Sequence, residues 1–224
     1  WLDVSAGQWF TCGIASAAPS AVDAPTSGRL YCWGKGDSGR LGTGSTDDEA
    51  VPVEIEGGGD DWVAVDAGVA HACGLRASGR LYCWGADRYG QLGDGAPSED
   101  RDAPVEVLGG STHWRAVGVG GFHTCGIRAS GRLLCWGADD LGQVGDGGAR
   151  RSAGVLAPIP VAGPVQDWSA VTAGDRRTCA LRPNGQALCW GRGVSSRLVN
   201  RQPLVIGRPR PLWQAVVAGA DHTC

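Results

Sequence analysis

The sequence contains no methionine, only two phenylalanines and three tyrosines, and a single lysine, Lys35, beside nineteen arginines. No apolar run reaches the roughly 18 residues that a membrane-spanning helix needs, and no segment shows a helical period, so we expect neither a membrane span nor a helical domain. The net charge of −3 has the wrong sign for a general nucleic-acid binder, and we expect no nucleic-acid partner. Scarce lysine beside abundant alanine and glycine favours a bacterial gene of high GC content.

Tryptophan, cysteine and glycine are abundant instead, with ten, nine and 38 residues. Their regular spacing predicts a repeated fold rather than a low-complexity chain. Five tryptophans each precede a cysteine by eleven residues: Trp1, Trp62, Trp114, Trp168 and Trp213. Four Cys-Trp-Gly tripeptides follow, and we expect a structural role for their tryptophans, Trp33, Trp84, Trp136 and Trp190.

This spacing divides the chain into four repeats and the start of a fifth: residues 1–61, 62–113, 114–167, 168–212 and 213–224. An insert rich in alanine, proline and serine, within Ser16 to Thr26, lengthens the first repeat. The chain begins at Trp1 and stops at Cys224 inside a repeated motif, so we expect it to be a segment of a longer protein or a processed product.

The second repeat predicts four short strands, at Trp62–Ala67, His71–Arg76, Arg80–Trp84 and Val105–Leu108. The second and third strands flank the three-residue loop Ala77-Ser78-Gly79, which has glycine where a hairpin loop requires a positive φ. Four antiparallel strands in about 50 residues are typical of a propeller blade. We therefore predict an all-β chain of four blades and a partial fifth.

The hairpin register predicts which cysteines lie opposite each other. With the loop centred on Ser78, Cys73 faces Cys83 at a non-hydrogen-bonded site, where opposing Cα atoms are close enough for a disulfide. The same rule predicts four bridges and leaves Cys224 without a partner: Cys12–Cys32, Cys73–Cys83, Cys125–Cys135 and Cys179–Cys189. Buried reduced thiols are the alternative. Disulfides would place the protein in the periplasm, at the cell surface or outside the cell.

The run from Val65 to Gly95, VDAGVAHACGLRASGRLYCWGADRYGQLGDG, resembles the repeat of the regulator of chromosome condensation family. The match recurs in residues 6–44 and 118–147, whereas the fourth repeat replaces GxLGxG with GRGVSSRL at residues 191–198. The resemblance implies a propeller, commonly of seven blades, which needs about 360 residues. We therefore expect part of a seven-bladed ring. The family's namesake activity, nucleotide exchange on a small nuclear GTPase, is not expected here because the cysteine pairs argue against a nuclear location.

Several motifs have a structural interpretation beside a functional one. His71, His123 and His222 occupy one repeat position that Phe10 and Arg177 fill elsewhere, so we expect structural histidines that hydrogen-bond local backbone. The GxLGxG turns lack the lysine and the helix of a phosphate-binding loop, and we interpret them as turns. We find no catalytic motif, so we expect no enzyme, no cofactor and no metal site.

Loops between strands are the candidate binding elements, because propellers bind through loops on a rigid scaffold. The residues we single out are Trp9, Asp47, Asp48, Glu99, Asp100, Arg150 and Arg151, with the insert within Ser16 to Thr26. Carboxylates cluster in two of these loops, but their spacing matches no calcium motif, so solvated loops are the favoured interpretation.

Charge changes along the chain. Residues 1–113 contain 17 acidic and 7 basic residues, whereas residues 168–224 contain 2 and 8. Ordinary variation of loop composition explains this gradient, or complementary ends attract. We predict a secreted or surface-exposed, non-catalytic scaffold that binds a protein. The alternative is a structural subunit whose copies associate head to tail in an extracellular assembly.

Overall fold

A computed structural model describes residues 1–16, 26–96, 98–109, 113–149, 151–163, 167–193, 199–206 and 213–219. Within these residues the chain is all-β, as predicted, apart from one 3-10 turn at Asp37–Gly39. The strands of the first two repeats are β1 (Asp3–Ala6), β2 (Phe10–Ser16), β3 (Gly28–Gly34), β4 (Glu49–Glu54), β5 (Trp62–Ala67), β6 (His71–Arg76), β7 (Leu81–Gly85) and β8 (Arg101–Glu106). Those of the next two are β9 (Trp114–Val119), β10 (His123–Arg128), β11 (Leu133–Asp139), β12 (Arg151–Pro160), β13 (Ala170–Ala173), β14 (Arg177–Leu181), β15 (Ala187–Arg192) and β16 (Val199–Val205).

Each set of four consecutive strands pairs antiparallel in chain order, and we call such a set a unit. The third and fourth units form separate four-stranded sheets. The first two units are joined into one eight-stranded sheet by a single bridge between β3 and β5, in which Gly28 pairs with Trp62. Among the described residues, no helix is long and apolar enough to cross a membrane.

The central hairpins have the predicted register. In the second unit Cys73 lies opposite Cys83 and Leu75 opposite Leu81, and Gly79 closes the loop with a φ of 78°. The structure contains four disulfides, Cys12–Cys32, Cys73–Cys83, Cys125–Cys135 and Cys179–Cys189, each with Cα atoms 4.1 Å apart. A bridge that closes about eleven residues adds on the order of 3 kcal/mol in the chain-entropy model. Cys224 lies outside the described residues.

The prediction for the outer strand of the second unit was wrong. That strand runs over Arg101–Glu106 rather than Val105–Leu108. Each outer strand contains a proline, a residue that normally argues against a strand in the sequence: Pro52, Pro104, Pro158 and Pro203. At the edge of a sheet the missing N–H of proline can face solvent without breaking the ladder. The prolines also blunt these edges against pairing with another strand.

The Cys-Trp-Gly tryptophans connect neighbouring units. Trp84, Trp136 and Trp190 are buried, and each indole N–H donates to a carbonyl in the GxLGxG turn of the preceding unit. The acceptors are Arg40, Gln91 and Gln143, at 3.1, 2.9 and 2.8 Å. The predicted turns are therefore also the contacts that stack one unit on the next. Trp33, in the first unit, is only partly buried.

A second tryptophan set packs in the interior of the second, third and fourth units. Trp62, Trp114 and Trp168 open three units and are buried. An arginine guanidinium lies over each ring, with Arg76 at 4.1 Å from the Trp62 centroid and Arg128 at 3.7 Å from that of Trp114. Such cation–π contacts shield the ring while the charged group remains partly hydrated. The sequence analysis did not detect this arginine position.

Candidate functional site

The innermost strands of the units end in tight turns that lie side by side. At Gly7, Gly68, Gly120 and Gly174 the N–H donates to the carbonyl three residues later, which reverses the chain. A Cβ on Gly68 would lie 2.1 Å from the Gly120 carbonyl oxygen, and one on Gly174 would lie 2.2 Å from that of Gly219. Only glycine allows this close approach of successive turns. We call the surface formed by residues 6–9, 67–70, 119–122, 173–176 and 218–219 the turn face.

A groove of about 620 Å³ opens on the turn face. Its floor consists of backbone and the small side chains of alanine, glycine and valine, and longer side chains rise around it. Gln8 and Arg176 are exposed at this rim, and Arg176 forms an ion pair with Asp175 at 3.4 Å. A concave surface lined by small residues accommodates a projecting segment of another molecule.

Aromatic side chains stand beside the groove. Trp9 follows Gln8 in the first turn and is 65% exposed, the highest value among the exposed large apolar residues. Phe122, on the rim in the third unit, stacks edge-to-face with Tyr89 at 5.7 Å between ring centroids. Tryptophan, tyrosine and arginine are enriched among the residues that dominate binding energy in protein interfaces. The turn face therefore has the composition of a protein-binding surface.

The predicted binding loops emerge on the same side of the units as the turn face. In every unit the first and third strands end there and the second and fourth begin there. Trp9 is linked to Asp48 through Lys35, whose N–H donates to the Trp9 carbonyl at 2.9 Å and whose Nζ lies 3.0 Å from Asp48 Oδ2. The hairpin loops such as Ala77–Gly79 lie at the opposite ends of the strands.

Several of these predicted residues also have structural contacts. Asp48 accepts a hydrogen bond from the Gly36 N–H, and Asp100 accepts one from the Asp87 N–H at 2.9 Å. Asp47 accepts from the Ser45 hydroxyl, and Glu99 is exposed and pairs with Arg101 at 3.4 Å. These carboxylates therefore stabilise the conformation of their loops as well as contributing surface charge.

The remaining predicted residues divide into two groups. Arg151 lies between two carboxylates, 2.6 Å from Asp146 and 3.6 Å from Asp139. Arg150 and His222 lie outside the described residues, as does most of the insert. Within the described ranges, no group of three or more histidine, cysteine or acidic residues is arranged to hold a metal ion.

The histidines of the repeat bond to the next unit rather than to local backbone, which corrects the sequence-based expectation. His71 Nε2 lies 2.9 Å from Thr124 Oγ1, and His123 Nε2 lies 2.8 Å from Thr178 Oγ1. Each threonine hydroxyl donates to the carbonyl of Gln91 or Gln143. The threonine oxygen must therefore accept a hydrogen bond from the histidine Nε2–H, so Nε2 is the protonated nitrogen and Nδ1 is not.

Burial keeps both imidazoles neutral. Among the described residues, Nδ1 of His71 and Nδ1 of His123 have no hydrogen-bond partner. Desolvation lowers the pKa of His71 to about 3 and the pKa of His123 to about 4, because charging either ring would leave a buried donor without an acceptor. These residues are structural groups beneath the turn face, and they offer no base to a ligand.

A partly buried carboxylate, that of Asp66, connects the first three units next to the turn face. Asp66 accepts hydrogen bonds from the Ser5 hydroxyl at 2.8 Å and from the Val119 N–H at 2.7 Å. Burial raises the pKa of the Asp66 carboxyl, opposed by these hydrogen bonds. Thr172 repeats the arrangement by accepting from the Ala218 N–H. These contacts hold the innermost strands, and hence the turns of the turn face, in register.

Sequence reasoning missed Phe122 and Arg176 on the turn face, and Tyr89, which stacks on Phe122. Trp9, Ala70, Phe122 and Arg176 all stand two residues after the turn glycine of their repeat. The available signal for a binding surface was this position, where the residue varies in size and charge although the glycine two residues before it does not vary. The repeat positions alone do not show that the four side chains share one surface, because that depends on how the units stack.

Comparisons with known proteins agree with this architecture. A family model described as the regulator of chromosome condensation (RCC1) repeat matches residues 27–75, 78–127 and 130–181, and a second model of that description matches 62–91, 114–143 and 168–196. The chain is 33% identical over 188 residues to the ultraviolet-B receptor UVR8 of Arabidopsis thaliana, which covers 83% of this chain and 42% of UVR8. It is 34% identical over 182 residues to the human E3 ubiquitin-protein ligase HERC2, which covers 77% of this chain and 4% of HERC2.

The chain thus spans less than half the length of either curated relative. Among solved structures, yeast RCC1 (Prp20) bound to Kap60 superposes with a TM-score of 0.80 over 98% of this chain and 52% of that one, at 18% identity. This likeness shows the fold, a β-propeller of antiparallel four-stranded sheets. Because the family models match more than half of its residues, the chain belongs to the regulator of chromosome condensation (RCC1) repeat family.

Proposed function

We propose that this chain is a non-catalytic scaffold that binds a protein partner through the turn face. The observation that carries the proposal is the exposed Trp9, which follows the groove residue Gln8 on the turn face, while Phe122 and Arg176 line the groove from other units. Rigid units stacked through Trp84, Trp136 and Trp190 hold these side chains in place, which limits the entropy lost when a partner binds.

Two further observations support a protein partner. The yeast family member superposed above was solved in complex with the protein Kap60. The net charge of −3 offers little attraction for a nucleic-acid backbone. The match to HERC2 involves only 4% of that ligase, so the resemblance concerns a propeller segment, and we propose scaffolding rather than catalysis for this chain.

We further propose that the protein works in the periplasm, at the cell surface or outside a bacterial cell, as part of a seven-bladed ring divided at the repeat boundaries given above. Four buried disulfides support an oxidising compartment, because cytosolic thiols are kept reduced. Each bridge lies within a single unit, so every unit that has one is stabilised independently of its neighbours.

Replacing Trp9 with serine is expected to weaken partner binding about thirtyfold or more, since removing an anchoring tryptophan costs about 2 kcal/mol or more. The immobilised chain is used to capture proteins from culture supernatant, and the Kd of each captured protein is measured for the wild type and for W9S. Val51→Ser is the matched control, because Val51 is 63% exposed but lies on the outer strand β4. Equal affinity of W9S and the wild type for every captured protein contradicts the proposal.

Head-to-tail association of copies in an extracellular assembly is the second candidate function. It is supported by the acidic first half and basic last part of the sequence, and by exposed apolar side chains on β1 and β16 such as Val4, Leu204 and Val205. Opposite charges steer such surfaces together.

If copies associate in this way, sedimentation velocity is expected to show dimers and larger species at about 50 mM sodium chloride and monomers at about 500 mM, where the charges are screened. A monomer at both salt concentrations, or an assembly whose size does not change with salt, contradicts this second function.

A further inference from the structure

Asp87 is a fully buried carboxylate at the base of the second unit's acidic loop. Its Oδ1 accepts a hydrogen bond from the Leu92 N–H at 2.8 Å, which holds the GxLGxG turn of that unit. Its Oδ2 is buried and has no hydrogen-bond partner among the described residues. An ionised carboxylate with one unsatisfied buried oxygen is costly, because neither water nor a cation replaces its lost hydration.

The charged groups around Asp87 come from its own turn and from the loop that leads into β8. Asp94 and Asp100 repel a negative charge on Asp87, and Arg101 attracts it. Arg101 is engaged elsewhere, with Nη2 at 3.4 Å from Asp94 and Nη1 at 3.4 Å from the exposed carboxylate of Glu99. The cation that attracts Asp87 is therefore shared between two other acids.

The two elements packed against this region contribute no free cation among the described residues. In the preceding unit, the turn that touches Asp102 contains Arg40, which pairs with Asp37 at 2.7 Å. In the following unit, β12 packs against Gly90 and begins with Arg151, which lies between Asp139 and Asp146. Asp87 therefore depends on Arg101 for any compensating charge.

The third unit also contains a buried aspartate, an aspartate in the turn and an arginine on the outer strand, but its arginine lies close to the buried aspartate. Asp139 accepts a hydrogen bond from the Val144 N–H, just as Asp87 accepts one from the Leu92 N–H. Asp146 occupies the position that corresponds to Asp94. There Arg151 has Nη2 at 2.6 Å from Asp146 and Nη1 at 3.6 Å from the buried Asp139. One molecule thus shows an outer-strand arginine directed to a surface glutamate in the second unit and to the buried aspartate in the third.

We propose that Asp87, Arg101 and Glu99 form a proton-operated switch that changes the charge displayed by the loop between Asp94 and Asp102. In the protonated form Asp87 is a neutral acid, and Arg101 pairs with Glu99 at the surface. When Asp87 releases its proton to solvent, its carboxylate attracts Nη1 of Arg101, as Asp139 attracts that of Arg151. Glu99 then loses its partner and presents a free carboxylate.

The transition falls at a physiological pH. Burial, which is the largest effect, together with the neighbouring acids raises the pKa of Asp87 to about 7. Both forms are therefore populated near neutral pH. The consequence for binding rests on the function proposed above: a partner with a basic group would bind this loop more tightly above pH 7, where Glu99 is free. The switch itself requires no partner.

The experiment is a carboxyl-carbon NMR titration of the whole chain between about pH 4 and 9, without a partner. Asp87 is expected to titrate with a midpoint near 7, and the signals of Glu99 and the Arg101 guanidinium are expected to change with the same midpoint. Glu99→Gln removes the competing acid, so Nη1 of Arg101 is released to approach Asp87, and the Asp87 midpoint is expected to fall by about one pH unit or more. Glu99 is exposed, so its substitution is expected to leave the fold intact.

Asp139 serves as the internal control, since E99Q is expected to leave its titration unchanged. Asp87→Asn is expected to abolish the pH-dependent change at Arg101. A midpoint of Asp87 below about 5, or a midpoint that E99Q leaves unchanged, overturns the switch. Because the titration is measured on the isolated chain, its failure is distinct from a failure of W9S to weaken partner binding.

Discussion

Replacing Gly93 with alanine is expected to lower the free energy of unfolding by on the order of 3 kcal/mol. Gly93 has a φ of 70°, a conformation that costs an L-residue roughly 1–2 kcal/mol. Its new Cβ would also lie 2.5 Å from Nε1 of Trp136, a fully buried indole that donates to the Gln91 carbonyl. Displacing this packed side chain is expected to cost a further amount of about 1–3 kcal/mol, which is the usual cost of overpacking a protein core.

Gly57→Ala is the matched control for Gly93→Ala. Gly57 has a φ of 81°, but a Cβ placed there meets no atom within 4 Å. Its substitution is expected to cost only the backbone strain, about 1–2 kcal/mol. Urea denaturation followed by tryptophan fluorescence measures both. Equal losses in the two variants would show that contact between the turn and the next unit's tryptophan does not stabilise the stack.

The second large effect is the response of the stack to acid. The unfolded chain takes up protons at its histidines as the pH falls below 6.5, whereas His123 in the folded chain resists protonation until about pH 4. The stabilisation is thus complete above pH 6.5 and is lost as the pH falls toward 4. We expect His123 to contribute a loss on the order of 3 kcal/mol over this range, at about 1.4 kcal/mol per pH unit.

His123→Phe combined with Thr178→Ala is expected to remove this contribution while leaving the fold intact. The chain already contains the apolar version at the first junction, where Phe10 and Ala72 occupy the equivalent positions in one buried cluster. The rings also fit the same space, since a Cβ on Gly7 would lie 2.3 Å from Phe10 Cε1 and one on Gly120 would lie 2.4 Å from His123 Cε1.

The single variants provide the control for this pair. Thr178→Ala alone leaves the His123 Nε2–H buried without an acceptor, which costs about 1–3 kcal/mol. The double variant is therefore expected to be more stable than T178A at pH 7 and to show a flatter dependence of unfolding free energy on pH. A double variant with the same acid dependence as the wild type would show that His123 is not the titrating group.

The local features of the fold were predictable from sequence. A three-residue loop with glycine at its end sets the hairpin register, and the register determines that Cys73 faces Cys83. The outer strands were less predictable. Proline is tolerated within a strand only at a sheet edge, and the sequence around Pro104 does not show that this strand lies at an edge. The acidic loop residues Asp48 and Asp100 were recognised as exposed loop residues, but not as acceptors for backbone N–H groups of their own units.

The sequence by itself determined the repeat, the strand order within each unit and the cysteine pairs, because these depend on residues that are close in the chain. Tertiary structure alone decided the contacts between units. His123 and Thr178 are 55 residues apart, and Gln91 and Trp136 are 45 apart. A repeat shows that a residue recurs but not which neighbour it meets. Only the stacking of units brings Trp9, Phe122 and Arg176 to one turn face, because each is placed by a different sheet.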